Sequence, residues 1–255
     1  MVSSVSLASY QFPMNALFIS LGLNTLVLAS AILFIAKKGG VSYVQMKLSR
    51  VSQKRYNSAI PVTNLRYYLQ KVSQFQLLPI SHSDIVFLGD SITDECEWIE
   101  LLENPQIKNR GISSDTTMGI LHRLDDIVIG QPAKIFIMVG INNFIHYQQS
   151  STEILADYKK IVTEICDRSP QTEIFIQSVL PINRTKSGLN VSGCEIVQLN
   201  SYLQELATEY SLTYIELYSY FSNEQGQLND FYTLDGVHLN GQAYSIWKQV
   251  IAKYI

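Results

Sequence analysis

The feature that most constrains the fold is an alternation of two sequence patterns, which begins near Asp84 and continues to the C-terminus. Short apolar runs, typical of buried strands, alternate with longer stretches of helical periodicity. The apolar runs cover residues 85–88, 135–139, 174–177 and 214–217, and the helical stretches cover residues 116–128, 151–168, 194–210 and 242–255. This order predicts a parallel sheet covered on both faces, with functional residues in the loops after the carboxyl ends of the strands.

The first predicted strand leads directly into Gly-Asp-Ser-Ile-Thr at residues 89–93. Gly89 permits a tight turn, and Ser91 stands where a helix is expected to begin. A nucleophilic serine in that position gains nearby backbone N–H groups and the positive end of the helix dipole. Serine and aspartate are also ordinary helix caps, so this motif alone leaves both interpretations open.

Two further loops carry groups that could stabilise negative charge. Gly111 follows Asn109 and Arg110, and a glycine can bring its backbone N–H close to a substrate because it has no side chain. Asn142 follows the second apolar run, and its amide can donate a hydrogen bond to a developing oxyanion. Glycine and asparagine are also common turn residues, so each loop alone is compatible with a plain turn.

The last of the four loops contains an aspartate and a histidine, Asp235 and His238. A nucleophilic serine needs a base, which near neutral pH is usually histidine. The histidine in turn needs an acceptor that fixes its tautomer and orientation, and Asp235 can supply it from the same loop. The pair is weak evidence alone. Together, however, the four loops provide a nucleophile, oxyanion donors, a base and a carboxylate that orients the base.

As a set, the motifs resemble those of the SGNH (GDSL) hydrolase superfamily: Gly89-Asp90-Ser91, Gly111 in its Asn-Arg-Gly context, Gly140-x-Asn142 and Asp235-x-x-His238. The resemblance covers residues 84–255. It is close to bacterial GDSL-type lipases and acylhydrolases, and it is similar to the catalytic subunits of platelet-activating-factor acetylhydrolase. The resemblance implies an α/β fold, a flavodoxin-like three-layer sandwich with a central parallel sheet.

The resemblance also implies a serine esterase that uses Ser91, His238 and Asp235 as a triad and forms an acyl-enzyme. Its oxyanion hole would combine the backbone N–H groups of Ser91 and Gly111 with the Asn142 side chain. No metal or organic cofactor is implied. Most of the superfamily has aspartate after the oxyanion asparagine, whereas this chain has Asn143, which puts substrate positioning in question.

The expected substrate is a small-molecule, carbohydrate or lipid ester, with short acyl or O-acetyl groups favoured. A lysophospholipase, a thioesterase or an O-acyltransferase would use the same residues, and a non-catalytic membrane-tethered binding module is the alternative from another class. Trp98, Phe144 and Tyr147 follow the predicted catalytic loops and are compatible with either a pocket or the core. The sequence does not predict the oligomeric state.

Charge is distributed unevenly along the chain. Residues 1–83 contain eight Lys or Arg and no Asp or Glu, whereas residues 84–255 contain eleven Lys or Arg and twenty-two acids, a net charge of −11. The acidic region would repel phosphate, so nucleic acid is not an expected partner.

Residues 16–36 form an uncharged, mostly apolar run of 21 residues. As a helix this run would span ~31 Å, which matches a hydrocarbon core of ~30 Å. The preceding residues contain no Lys or Arg, which disfavours a cleaved signal peptide. The predicted organisation is therefore a membrane anchor at 1–40, a basic helical linker at 41–80 and an SGNH hydrolase domain at 81–255.

These features predict a single-pass membrane protein. The basic linker is compatible with a helix on an anionic membrane surface or with a solvated stalk. Positive residues beside an anchor are retained on the cytoplasmic side, which places the catalytic domain on the cytoplasmic face. Envelope-modifying SGNH esterases commonly face outward, so the resemblance favours the opposite side. The flanking charges that decide for the cytoplasmic face are Lys37, Lys38, Lys47, Arg50, Lys54 and Arg55.

Overall fold

The computed structural model describes residues 24–25 and 62–255, and the four motifs all lie in the second range. Five strands form one sheet: β1 (Ile85–Gly89), β2 (Ile107–Gly111), β3 (Lys134–Met138), β4 (Glu173–Gln177) and β5 (Thr213–Ile215). The helices of this range are α1 (Val62–Gln76), α2 (Ser91–Asp94), α3 (Trp98–Leu102), α4 (Thr117–Arg123), α5 (Asp125–Val128), α6 (Ile141–Tyr147), α7 (Ser151–Arg168), α8 (Arg184–Ser187), α9 (Gly193–Glu209), α10 (Tyr218–Phe221) and α11 (Gly241–Ile251). Short 3₁₀ turns occupy Asp230–Tyr232 and Ala252–Tyr254.

The strand order is β2-β1-β3-β4-β5, and every neighbouring pair is parallel. This is the order of flavodoxin-like doubly wound sheets. Because parallel crossovers are right-handed, α2 and α3, which join β1 to β2, lie on the face opposite to the crossover helices α4, α7 and α9. Helix α11 returns to the face of α3, where Trp247 contacts Trp98 at a ring-centroid distance of 5.0 Å. The predicted α/β fold with a central parallel sheet is confirmed. The strand order reverses between β1 and β3, so the crevice used by ligands in such folds opens at the ends of these two strands.

The apolar composition of β1 and β3 is consistent with their central position in the sheet. All residues of β1 and all but the first of β3 are buried, as expected for strands covered on both faces. Phe87, Phe136 and Phe175 occupy matching positions in β1, β3 and β4, and their rings stack with centroid distances of 4.9 and 4.4 Å. This ladder supports the strand ends that carry the motifs.

Strand β2 was not predicted, because hydrophobic periodicity is nearly absent from it. Of its residues only Ile107 is a large apolar side chain, and Lys108 and Asn109 are partly exposed. An edge strand needs fewer apolar residues, since one side of it lacks a neighbouring strand. The pairing of Gly89 with Gly111 places the end of β2 beside the end of β1.

Helix α1 belongs to the same unit as the sheet, Tyr56–Ile255, although its residues fall within the predicted linker. The Tyr68 side chain is buried, and its hydroxyl donates to the Gly119 carbonyl at 2.8 Å. Tyr67 Oη and Lys71 Nζ each lie 2.6 Å from the carboxylate of Asp94, the last residue of α2. Helix α1 therefore contacts the helix that begins with Ser91.

The prediction of single-pass membrane localisation is not supported by the structure. In the described part of the chain, no helix is long and apolar enough to cross a membrane. A span needs about 20 mostly apolar residues, whereas α7, the longest described helix, has 18 residues and several charged side chains. The run at 16–36 and the basic segment after it lie outside the described residues, apart from residues 24–25.

Candidate active site

The turn after β1 places Ser91 at the carboxyl end of a central strand. A Cβ at Gly89 would lie 2.2 Å from Thr93 Oγ1 and 2.4 Å from the Met138 carbonyl oxygen, so only glycine fits. Asp90 caps α2, since its carboxylate accepts the Ile92 N–H at 3.1 Å. Ser91 is the first helical residue, where a backbone N–H has no acceptor within the helix. That N–H is thus suited to bind a developing negative charge.

Asp90 directly precedes Ser91 in this turn and is 1% exposed. Burial raises the pKa of Asp90 to about 7, because a carboxylate loses its hydration there. The Ile92 N–H opposes this shift, and the nearby Asp115 carboxylate adds to it. Asp90 therefore gains or loses its proton near neutral pH.

The substitution Asp90→Asn is expected to weaken the pH dependence of stability. Because the pKa of Asp90 is higher in the folded state, its protonated carboxyl stabilises the fold. This contribution is fully present below the pKa of the unfolded state, 3.8, and is lost as pH rises through about 7. Asparagine stays neutral and can still accept the Ile92 N–H. Between pH 5 and 8, wild type should lose roughly 2 kcal/mol more unfolding free energy than the variant in urea titrations. Equal losses of unfolding free energy in the two proteins would contradict the raised pKa of Asp90.

The loop before α11 brings Asp235, His238 and Ser91 together. Asp235 Oδ2 lies 2.6 Å from His238 Nδ1, and His238 Nε2 lies 2.9 Å from Ser91 Oγ. An ionised carboxylate only accepts hydrogen bonds, so Nδ1 carries the proton and Nε2 of the neutral ring is the acceptor. The imidazole is therefore oriented to accept the proton of the Ser91 hydroxyl.

Backbone hydrogen bonds hold Asp235 in this orientation. Its Oδ1 accepts the N–H groups of Val237 at 2.9 Å and His238 at 2.8 Å, which leaves Oδ2 for the imidazole. Burial alone would raise the pKa of Asp235, but the His238 ring and the two N–H groups lower it to about 2. Gly236 has a φ of 88°, and a Cβ there would lie 2.7 Å from the Asn183 carbonyl oxygen. The Asp-Gly-Val-His sequence thus forms one preorganised turn.

Asn142 is the second residue of α6 and is 6% exposed. Its Nδ2 donates one hydrogen bond to the Asp115 carbonyl at 3.0 Å, which orients the amide and leaves the second hydrogen of that nitrogen available. Asp115 pairs with Arg123 at 2.8 Å, and Arg123 Nη2 donates to the Gly89 carbonyl at 3.1 Å. This buried network connects Asn142 to the turn that carries Ser91.

The Gly111 N–H is one of the donors that the sequence predicts for the oxyanion. This N–H donates to Asn109 Oδ1 at 2.8 Å, so it already has a partner. A Cβ at this position would lie 2.2 Å from the Asp94 nitrogen. The glycine is therefore required for the close approach of β2 to α2, which is a packing role.

Two positioning residues were missed by the sequence analysis. Asn109 Nδ2 lies 3.0 to 3.1 Å from the carbonyl oxygens at the end of α2, which belong to Thr93, Asp94 and Cys96. Tyr244 Oη of α11 donates to the Ile92 carbonyl at 2.8 Å. These contacts hold α2 against β2 and α11. The Asn-Arg-Gly motif carried a signal for Asn109, but nothing in the sequence distinguished Tyr244.

Residues 87–246 match the family described as GDSL-like Lipase/Acylhydrolase, which is more than half of the chain. The chain belongs to this family. Among curated relatives, the rat platelet-activating factor acetylhydrolase IB subunit alpha2 is 27% identical over 169 residues, which cover 64% of this chain and 71% of the relative. The resemblance to SGNH hydrolases is thereby confirmed, and the chain is a hydrolase of ester bonds.

Solved structures agree with this membership. A structure from Streptococcus pneumonia has a TM-score of 0.69 and 27% identity, and the match covers 81% of this chain and 98% of that one. A variant of an acetyl-xylooligosaccharide esterase from Geobacillus Stearmophilus has a TM-score of 0.55 and 20% identity, covering 68% of this chain and 94% of that one. The second likeness concerns the fold alone.

In this GDSL-family chain, Asn143 stands where most of the superfamily has aspartate, and it has a structural role. It is 1% exposed, and its Nδ2 donates to Thr117 Oγ1 at 2.8 Å and to Gln149 Oε1 at 2.6 Å. Its Oδ1 accepts the Thr117 N–H at 3.2 Å. These contacts join α6 to α4 and to the loop before α7.

The three aromatic residues considered for a pocket lie in different environments in this hydrolase. Trp98 belongs to the core, where it stacks on Phe87 at a centroid distance of 4.3 Å. Tyr147 is exposed at the end of α6. Phe144 lines a cavity of about 570 Å³ between α6 and the start of α9. Polar side chains share that lining, namely Gln148, Gln149, Glu153, Asn190 and Glu195.

Proposed function

We propose that the protein hydrolyses carboxylic esters with short acyl groups through a Ser91–His238–Asp235 triad and an acyl-enzyme. The observation that carries this proposal is the continuous chain of hydrogen bonds from Asp235 Oδ2 through both imidazole nitrogens to Ser91 Oγ, at 2.6 and 2.9 Å. This arrangement provides a nucleophile with an oriented base in contact with it.

In the proposed reaction, Ser91 Oγ attacks the ester carbonyl while His238 Nε2 accepts the hydroxyl proton. His238 then donates this proton to the departing alkoxide oxygen, and an acyl-enzyme remains on Ser91. Water attacks the acyl carbonyl with His238 again as base, which releases the acid and restores the serine. Asp235 stays ionised throughout, in keeping with its lowered pKa.

Two groups are proposed to bind the oxyanion: the backbone N–H of Ser91 and the second hydrogen of Asn142 Nδ2. Both stand at helix N-termini, where the helix dipoles also favour negative charge. The Gly111 N–H is left out of this set because Asn109 accepts it. We assign the activity to the domain at residues 81–255, with α1 packed against it.

The preference for short acyl groups is supported by the name of one relative, an acetylhydrolase. It is tested by hydrolysis of p-nitrophenyl esters from acetate to palmitate by the full chain. We expect kcat/KM to be highest for acetate or butyrate and to fall with longer chains. A preference that rises with chain length would contradict a short-acyl esterase and indicate a lysophospholipase or thioesterase.

A further inference from the structure

Glu95 lies next to the reacting atoms, although it belongs to none of the four motifs. It follows the last residue of α2, and its Oε1 is 3.8 Å from His238 Nε2. The same nitrogen is 2.9 Å from Ser91 Oγ. The Glu95 side chain is 48% exposed, so it faces the solvent from which a substrate arrives. The proposed mechanism gives this carboxylate no role.

The position of Glu95 relates it to the alcohol part of the ester. In the proposed reaction, His238 Nε2 donates a proton to the departing alkoxide oxygen, which must come within about 3.2 Å of that nitrogen. Glu95 Oε1 and the departing oxygen then both lie close to His238 Nε2. The distance between these two oxygens is therefore at most about 7 Å. A substituent a few bonds beyond the ester oxygen can therefore contact the carboxylate.

Nearby basic side chains are engaged with other carboxylates. Lys71 pairs with Asp94 at 2.6 Å, and Lys186 pairs with Asp230 at 3.0 Å. Among the described residues, no lysine or arginine forms an ion pair with Glu95. Asp235 adds a second negative charge on the other side of the imidazole. The region that the alcohol part enters is consequently negative.

We propose that Glu95 is a specificity-determining residue that favours esters whose alcohol part carries a positive charge and disfavours those whose alcohol part is anionic. This inference rests on the proposed function, since it requires His238 to protonate the leaving group. A unit charge about 4 Å from the carboxylate in a water-like medium gives a preference of roughly five-fold, and exclusion of water increases it.

The test compares two esters of the acyl group that the p-nitrophenyl series selects: the choline ester and its neutral isostere, the 3,3-dimethylbutyl ester. The measured quantity is the ratio of their kcat/KM values. We expect the full-length wild type to favour the choline ester at least about five-fold. The ratio should approach one in Glu95→Gln and fall below one in Glu95→Lys. Glu100→Gln, the same charge change at an exposed position of α3, should leave the ratio unchanged.

Salt provides a second readout that a purely structural role would not affect. At 1 M KCl the Debye length is about 3 Å, so the ratio should fall in wild type and stay constant in Glu95→Gln. An equal ratio in wild type and Glu95→Gln, with neutral-ester hydrolysis that still requires Ser91, would overturn the role of Glu95 alone. Hydrolysis of the neutral ester that persists in Ser91→Ala would instead overturn the proposed function, and this inference with it.

Discussion

Ser91→Ala is expected to lower kcat for ester hydrolysis by roughly 10⁴-fold or more, which corresponds to at least about 5 kcal/mol of transition-state stabilisation. The hydroxyl is the proposed attacking group, so its removal eliminates the acyl-enzyme route. The fold should not suffer, because Asp90 still caps α2 and alanine suits a helical position. Initial rates with the preferred p-nitrophenyl ester measure the loss.

Ser83→Ala is a matched control, since it removes an exposed hydroxyl just before β1. Both variants should unfold in urea at the midpoint of wild type, within about 0.5 kcal/mol in unfolding free energy. Substantial hydrolysis by Ser91→Ala, with a rate that is not explained by spontaneous hydrolysis, would exclude Ser91 as the nucleophile.

Asn142→Ala is expected to lower kcat by about 10²- to 10³-fold while KM changes little. A donor that binds the oxyanion strengthens its bond mainly in the transition state, so its loss affects kcat more than substrate binding. The hydrogen bond from Asn142 Nδ2 to the Asp115 carbonyl orients the amide, so the second hydrogen of Nδ2 is preorganised. Full kinetic curves for wild type and variant separate kcat from KM.

Asn143→Ala is the control for Asn142. Its amide bonds to Thr117 and Gln149, so truncation should reduce unfolding free energy by about 1–3 kcal/mol with a much smaller change in kcat. If Asn142→Ala leaves kcat unchanged, the residue is only part of a turn. If Asn143→Ala gives the larger loss of kcat, the two roles are reversed.

The fold was predictable where a strand is buried on both faces. Strands β1 and β3 are almost entirely apolar, and such runs stand out among helical patterns. The candidate site was predictable for the same reason, because residues that follow parallel strands converge at one edge of the sheet. Ser91 and Asn142 follow β1 and β3, the two strands at the point where the order reverses.

Other features depend on tertiary contacts that a local pattern does not contain. Strand β2 is mostly polar because it lies at the edge, and its Gly111 is needed for packing against Asp94. The burial of Asp90 and the short distance between Glu95 and His238 both arise because segments that are far apart in the chain pack together. Spacing along the sequence gives no measure of these distances.

The central claim, that Ser91 is a nucleophile activated by His238, is tested most directly by covalent labelling. Diisopropyl fluorophosphate should form a bond between Ser91 Oγ and phosphorus, with release of fluoride and of the serine proton. Intact-mass analysis of the treated wild type should show one adduct, and peptide mapping should place it on Ser91. Ser91→Ala and His238→Ala should remain essentially unlabelled under the same conditions. An adduct on another serine, or labelling of Ser91→Ala at the rate of wild type, would contradict the claim.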